Sequence, residues 1–149
     1  MNKKQVLANL GSPHANGITA AMLDCAIHRA EKRGYTITKI NLYERNLSFC
    51  TGCRACLKTK VCIQKDDIQE ITDYLHKCQT IFLAAPVYWA NVPAAFSWIF
   101  GQSSGAIRNM DEFFKTAGMK PIGKIVCANA ANKKELPKSL IKKIERCLK

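Results

Sequence analysis

Short apolar runs alternate with stretches of helical periodicity along most of the chain. Residues 5–10 form an apolar run that stops at Gly11-Ser12-Pro13, and Ile18, Ala21, Met22, Cys25 and Ala26 then recur at helical spacing within 18–33. That pattern predicts a strand, a turn and a helix. Gly34 stands where a left-handed residue ends a helix, and the alternating, β-branched stretch 36–42 predicts a second strand. Residues 43–65 carry no sustained periodicity and predict a long functional loop. Asp66 and Asp67 are placed to cap a helix that runs to about Cys78 and to favour the positive end of its dipole. Residues 80–85 read as a buried strand of the parallel-sheet kind, ending at Pro86. Beyond it the pattern predicts short apolar helices over 92–100 and 107–116, a strand over 122–128 and a closing basic helix over 137–148.

Strands that alternate with helices give a parallel sheet covered on both faces, here expected as one α/β domain over 1–149. Such sheets bind ligands beyond the carboxyl ends of their strands. The loops after the first, second and third strands therefore share one edge, and they hold the unusual residues. There is no internal repeat, low-complexity segment or interdomain linker.

Composition narrows the picture. A chain of 149 residues, 48% hydrophobic, buries roughly two-thirds of its unfolded surface, so its core needs no cross-links. No apolar run reaches the roughly 18–20 residues of a membrane span. The polar start at residues 1–5 lacks the pattern of a signal peptide, so a cytoplasmic protein is expected. In that setting the eight cysteines point to thiol chemistry or metal ligation rather than disulfides. The 23 Lys and Arg against 11 Asp and Glu give a formal charge of +12, which favours phosphate-bearing cofactors, nucleic acid or acidic proteins. Seven of the positive charges fall within 133–149, as on the solvated face of a final helix.

The first loop, Gly11-Ser12-Pro13-His14-Ala15-Asn16-Gly17-Ile18-Thr19, lies between a strand and a helix. Backbone amides, two hydroxyls and a helix dipole can converge there on an anion. It spells neither the dinucleotide fingerprint nor a Walker loop. The second loop holds Cys50, Cys53, Cys56 and Cys62 as C-x2-C-x2-C-x5-C. Such close packing suits a cubane cluster, in which each iron takes one cysteine. A structural zinc site more commonly uses two separated pairs, and this loop contains no histidine. Iron, zinc and unligated thiols all stay open at this point. The third loop, Pro86-Val87-Tyr88-Trp89-Ala90-Asn91-Val92-Pro93, joins aromatic surface to an amide, which suits a stacked ring cofactor. Cys25, Cys78, Cys127 and Cys147 lack ligand spacing and read as small buried hydrophobes.

These motifs resemble those of the flavodoxin-like NADPH-dependent FMN reductases, above all the iron-sulfur flavoprotein branch. The first loop is similar to the family's phosphate loop, Gly-Ser-Pro-Arg-x-x-Gly-Asn-Thr. His14 and Ile18 stand where the family has Arg and Asn or Ser, which removes a permanent charge and a polar side chain. The third loop resembles the family's Pro-Val-Tyr-Trp-x-Asn-x-Pro, which lines the flavin. The four cysteines followed by Asp66-Asp67 resemble the branch's ligand set for a 4Fe-4S cluster.

The resemblance implies a flavodoxin-like three-layer sandwich around a central parallel sheet. Four strands are expected, one fewer than usual, with the fourth over 122–128 or 124–130. It implies FMN held by Ser12, His14, Gly17, Thr19, Pro86, Val87, Tyr88, Trp89 and Asn91, and a cluster held by Cys50, Cys53, Cys56 and Cys62. It also implies NAD(P)H or a protein redox partner as electron donor, and a homodimer. No general acid or base is implied, because a flavin that accepts hydride needs none. Two departures leave a second reading open, a flavin-free scaffold or binding subunit: Gly101-Gln102 replaces the family's Asp-Arg pair, and a strand is missing. A metal-stabilised nucleic-acid binder fits less well, because known readers space their aromatics and ligands differently.

Overall fold

The computed structural model describes residues 4–87, 118, 120, 123, 125 and 135–147. At its centre is β1, Gln5–Leu10, in which every residue after Gln5 is buried. β1 pairs in parallel with β2, Thr36–Asn41, Gln5 lying opposite Thr36 and Leu10 opposite Asn41. On its other side it pairs in parallel with β3, Thr80–Ala84, from Val6 opposite Thr80 to Leu10 opposite Ala84. Parallel neighbours require crossover connections. The first is α1, Ile18–Glu31, and the second contains the short α2, Ala55–Thr59, and then α3, Ile68–Lys77.

The strand order is β2-β1-β3. The chain steps from β1 to one side and then returns past it to the other, so its crossovers lie on opposite faces. Side chains alternate across the sheet. Ala8 and Leu10 pack with Ala20 and Leu23 of α1, supported by Ile27, Ile37, Phe82 and Ala84. Leu7 and Ile40 pack with Leu42 and with Ile71 of α3, flanked by Leu47, Tyr74, Leu75 and Leu83. The closing helix α4, Lys138–Cys147, packs on α1 and buries Leu140 and Ile144, one turn apart, while its basic residues stay outside. The result is the expected three-layer sandwich. Among the described residues no helix is long and apolar enough to cross a membrane.

Local chemistry sets the boundaries. α1 stops at Glu31, short of the predicted Arg33, because Gly34 turns left-handed at φ 79° and its amide donates to the Glu31 carbonyl at 2.8 Å. β2 stops at Asn41 rather than at 42, because the Asn41 side chain accepts from the Tyr43 amide at 3.2 Å and starts a 3-10 turn over Leu42–Glu44. Three strands are present among the described residues. The expected helices over 92–100 and 107–116 and the expected fourth strand over 122–128 or 124–130 lie outside the described residues, apart from Gly123 and Ile125.

One core residue breaks the apolar pattern. Asn9 lies between Ile40 and Leu83 on the α3 face and is fully buried. Among the described residues neither its Oδ1 nor its Nδ2 has a hydrogen-bond partner. A buried, unsatisfied amide costs about 1–3 kcal/mol relative to an apolar side chain of similar shape. Asn9→Leu is therefore expected to raise the stability of the metal-free chain by about 1–2 kcal/mol, read as a higher urea midpoint at unchanged slope. A lower midpoint would mean that the amide has a partner.

Candidate functional site

All three loops of interest leave the carboxyl ends of parallel strands, so the fold gathers them on one edge. The first and third are joined directly: the Gly11 amide donates to the Ala84 carbonyl at 2.8 Å, tying the start of the first loop to the end of β3. Ser12 is buried, and its hydroxyl accepts from the His14 amide at 3.2 Å and faces the His14 carbonyl at 3.4 Å. The Gly17 amide donates to that same carbonyl at 3.1 Å. Ser12 thus shapes the turn. A Cβ on Gly17 would meet His14 at 3.4 Å, so the turn closes tightly at the helix start.

Gly17 is also the N-cap of α1. It supplies no side-chain acceptor, and the first turn of the helix carries no acidic residue. The leading amides and the positive end of the dipole are therefore left for an external anion. Thr19 lies half-buried in that first turn, and His14 is exposed beside it. Pro86 is half-buried and Val87 is 55% exposed where the third loop begins. Tyr88, Trp89 and Asn91 lie outside the described residues.

The cysteine loop is more ordered than its lack of periodicity implies. It contains α2, and each interval between successive cysteines holds one left-handed residue: Gly52 at φ 69°, Arg54 at φ 60° and Lys60 at φ 60°. Left-handed backbone costs a residue with a Cβ about 1–2 kcal/mol. The chain accepts that strain twice in seven residues, at Arg54 and Lys60. Cys50, Cys53, Cys56 and Cys62 line a single cleft with Thr51, Arg54, Ile63 and Gln64. The Gly52 amide approaches the Cys50 sulfur at 3.4 Å, and the Cys62 thiol donates to Gln64 Oε1 at 3.7 Å.

Among the described residues no group of three or more His, Cys, Asp or Glu is close enough together to hold a metal ion. Cys56 is fixed on α2, whereas Cys50 and Cys53 sit on irregular backbone before it. The four therefore share a cleft without closing into a coordination shell.

The mouth of this loop is held shut by polar pairs. The Asp66 carboxylate accepts from the Ser48 amide at 2.8 Å and from the Ile68 amide at 3.1 Å. Asp67 accepts from the Asn46 amide at 2.9 Å and returns its own amide to the Asn46 carbonyl at 3.0 Å. Outside them Arg45 pairs with Glu70 at 3.1 Å, and inside them Gln64 Nε2 donates to the Phe49 carbonyl at 2.7 Å. Asp67 holds the N-cap position of α3 but turns its carboxylate to the loop, and Asp66, one residue earlier, meets the Ile68 amide in an Asx turn. Sequence reading missed both this closure and α2. The helix-forming run Ala55-Cys56-Leu57-Lys58 was a usable signal for α2, but pairing across some 20 residues leaves none.

The remaining described cysteines differ in environment. Burial pushes the Cys25 thiol up, with the Glu145 carboxylate adding to the effect, and burial likewise raises Cys78. Cys50, Cys53 and Cys56 are exposed. In the reduced, metal-free chain at neutral pH, a maleimide is expected to modify these three at least about tenfold faster than Cys25 and Cys78, since the thiolate is the reacting form. Peptide mapping of a time course checks the order.

Comparison with known proteins gives a consistent result. Residues 5–131 match the family model of NADPH-dependent FMN reductases. The chain is 36% identical over 85 residues to an iron-sulfur flavoprotein of Archaeoglobus fulgidus, covering 57% of this chain and 39% of that protein. It is 29% identical over 93 residues to an iron-sulfur flavoprotein of Methanosarcina thermophila, covering 62% and 49%. A third, from Clostridioides difficile, is 33% identical over 90 residues, covering 58% and 40%. The chain thus spans about two-fifths to one-half of the length of these relatives. Among solved structures, a candidate quinone reductase from Klebsiella pneumoniae aligns with a TM-score of 0.51 at 16% identity, over 66% of this chain and 44% of that one. That likeness speaks to the fold alone.

Proposed function

The chain belongs to the NADPH-dependent FMN reductase family, and from that premise we propose that it is an FMN-binding redox protein with a four-iron, four-sulfur cluster in its second loop. The observation that carries this reading is the Gly11–Ala84 hydrogen bond. It sets the start of the first loop, which leads to the uncapped N-terminus of α1, beside the start of the third loop. The two loops flank the point where the strand order reverses, between β1 and β3. Doubly wound sheets take their ligands at such a crevice, and flavodoxin binds FMN at the corresponding point of its own sheet.

In this reading the leading amides of α1, with Thr19 and His14, hold the FMN phosphate, while Ser12 and Gly17 fix the turn that aims them. Pro86 and Val87, continuing into Tyr88, Trp89 and Asn91, cover the ring. Cys50, Cys53, Cys56 and Cys62 supply four thiolates, a donor set that suits iron-sulfur ligation. Arg54 in the cleft wall offsets part of their negative charge. FMN, when bound, supplies a centre that takes an electron pair from NAD(P)H, and the cluster supplies a one-electron relay. The residues named here bind and orient; none moves a proton. The +12 charge draws the anionic dinucleotide or an acidic protein donor toward the molecule.

Purification of the chain without oxygen, followed by iron and sulfide assays, tests the cluster. About four of each per chain are expected for a cubane. Cys53→Ala is expected to lose both while the far-UV spectrum and FMN content stay unchanged. Iron and sulfide that persist in that variant would overturn the ligand assignment.

A further inference from the structure

We propose that Asp66, assisted by Asp67, is a positioning residue for the cysteine array: its carboxylate closes the loop mouth and so holds the four thiols on one cleft before any metal arrives. The proposal rests on the reading that this loop ligates metal. It names a residue outside the thiol set as a determinant of how well the loop does so.

The closure has the form of a ladder made largely by side chains. Its rungs, in order, are Arg45 to Glu70, Asn46 to Asp67, Ser48 to Asp66 and Phe49 to Gln64. The two sides run antiparallel, and the segment pinched off, 50–62, contains all four clustered cysteines. The loop is anchored on both sides, by Leu42 and Leu47 before it and by Ile71 of α3 after it, all in or against one core cluster. Asp66 is the link between the two: one oxygen takes the first-turn amide of α3, the other takes the Ser48 amide two residues before Cys50.

The chemistry explains why a carboxylate stands here. Both Asp66 oxygens act as acceptors toward amides, and an asparagine would present one acceptor and one donor. At Asp67 one side-chain oxygen accepts from Asn46, and an amide can reproduce that. The two aspartates therefore predict different tolerances. Asp66 stands one position before the N-cap and meets the Ile68 amide in an Asx turn, which a serine hydroxyl also forms, though more weakly. Asp66→Ser leaves a hydroxyl for the turn into α3 and removes the rung to Ser48, which separates the two roles.

The test titrates cobalt(II) into the reduced, anaerobic full chain. Thiolate-to-cobalt absorption is followed in competition with a chelator, and amide hydrogen exchange is measured on the metal-free protein. Wild type is expected to bind one cobalt through thiolates. Asp66→Ser and Asp66→Asn are expected to bind roughly 10–100-fold more weakly, the range for outer partners of metal ligands. The Ser48 amide should exchange faster in both, with the far-UV spectrum of Asp66→Ser unchanged. Asp67→Asn is expected to stay within about threefold of wild type on the same scale. Equal cobalt affinity in wild type and Asp66→Ser, with faster exchange at Ser48, would overturn the proposal and leave the metal reading intact. No thiolate-bound cobalt in wild type would overturn both.

Discussion

The burial of β1 between two parallel partners is the constraint from which the rest follows. An interior parallel strand can join its neighbours only through crossovers, and these deliver every connecting loop to the same pair of edges. With β2 on one side and β3 on the other, the crossovers take opposite faces and the strand order reverses between the starts of the loops after β1 and β3. Gly11 lies at the end of β1 because the strand ends there, and its amide meets Ala84 because β3 ends beside it. The proposed phosphate site and ring site are neighbours for this reason, although some 70 residues separate them in sequence.

The cysteine loop is governed by a different balance. It has almost no core of its own: Phe49, Leu57, Val61 and Ile63 are all exposed to between 49% and 66%. Its shape comes instead from three left-handed residues and from carboxylate-to-amide bonds at its mouth. Both features restrict the chain locally and leave the thiol surface free. Strained backbone of this kind persists only where its surroundings hold it, and it concentrates at functional sites. Its coincidence with two of the three intervals between cysteines fits a loop shaped around ligation.

Much of this was legible from the sequence. The strands at 5–10 and 80–85 announce themselves by apolar runs stopped at Gly11 and Pro86, and α1 by its periodicity and the left-handed Gly34, because burial and backbone sterics act on local sequence. The three loops are recognisable as candidate sites since their residue types are costly or unusual for simple connections. What escaped reading was long-range or polar. No periodicity marks an Asp66 that reaches Ser48, and nothing in an apolar strand explains why Asn9 is buried between Ile40 and Leu83. The substitution of His14 for the family's Arg was legible as a loss of charge. Its effect depends on how far the amides of α1 serve by themselves, which is a matter of geometry.

The central claim is that the first-loop amides and the third loop together hold FMN. Titration of the flavin-free chain with FMN, followed by quenching of flavin fluorescence at low ionic strength, tests it most directly. Saturation at one FMN per chain is expected, weakened by inorganic phosphate competing for the α1 N-terminus. A linear, unsaturated response insensitive to phosphate would contradict it.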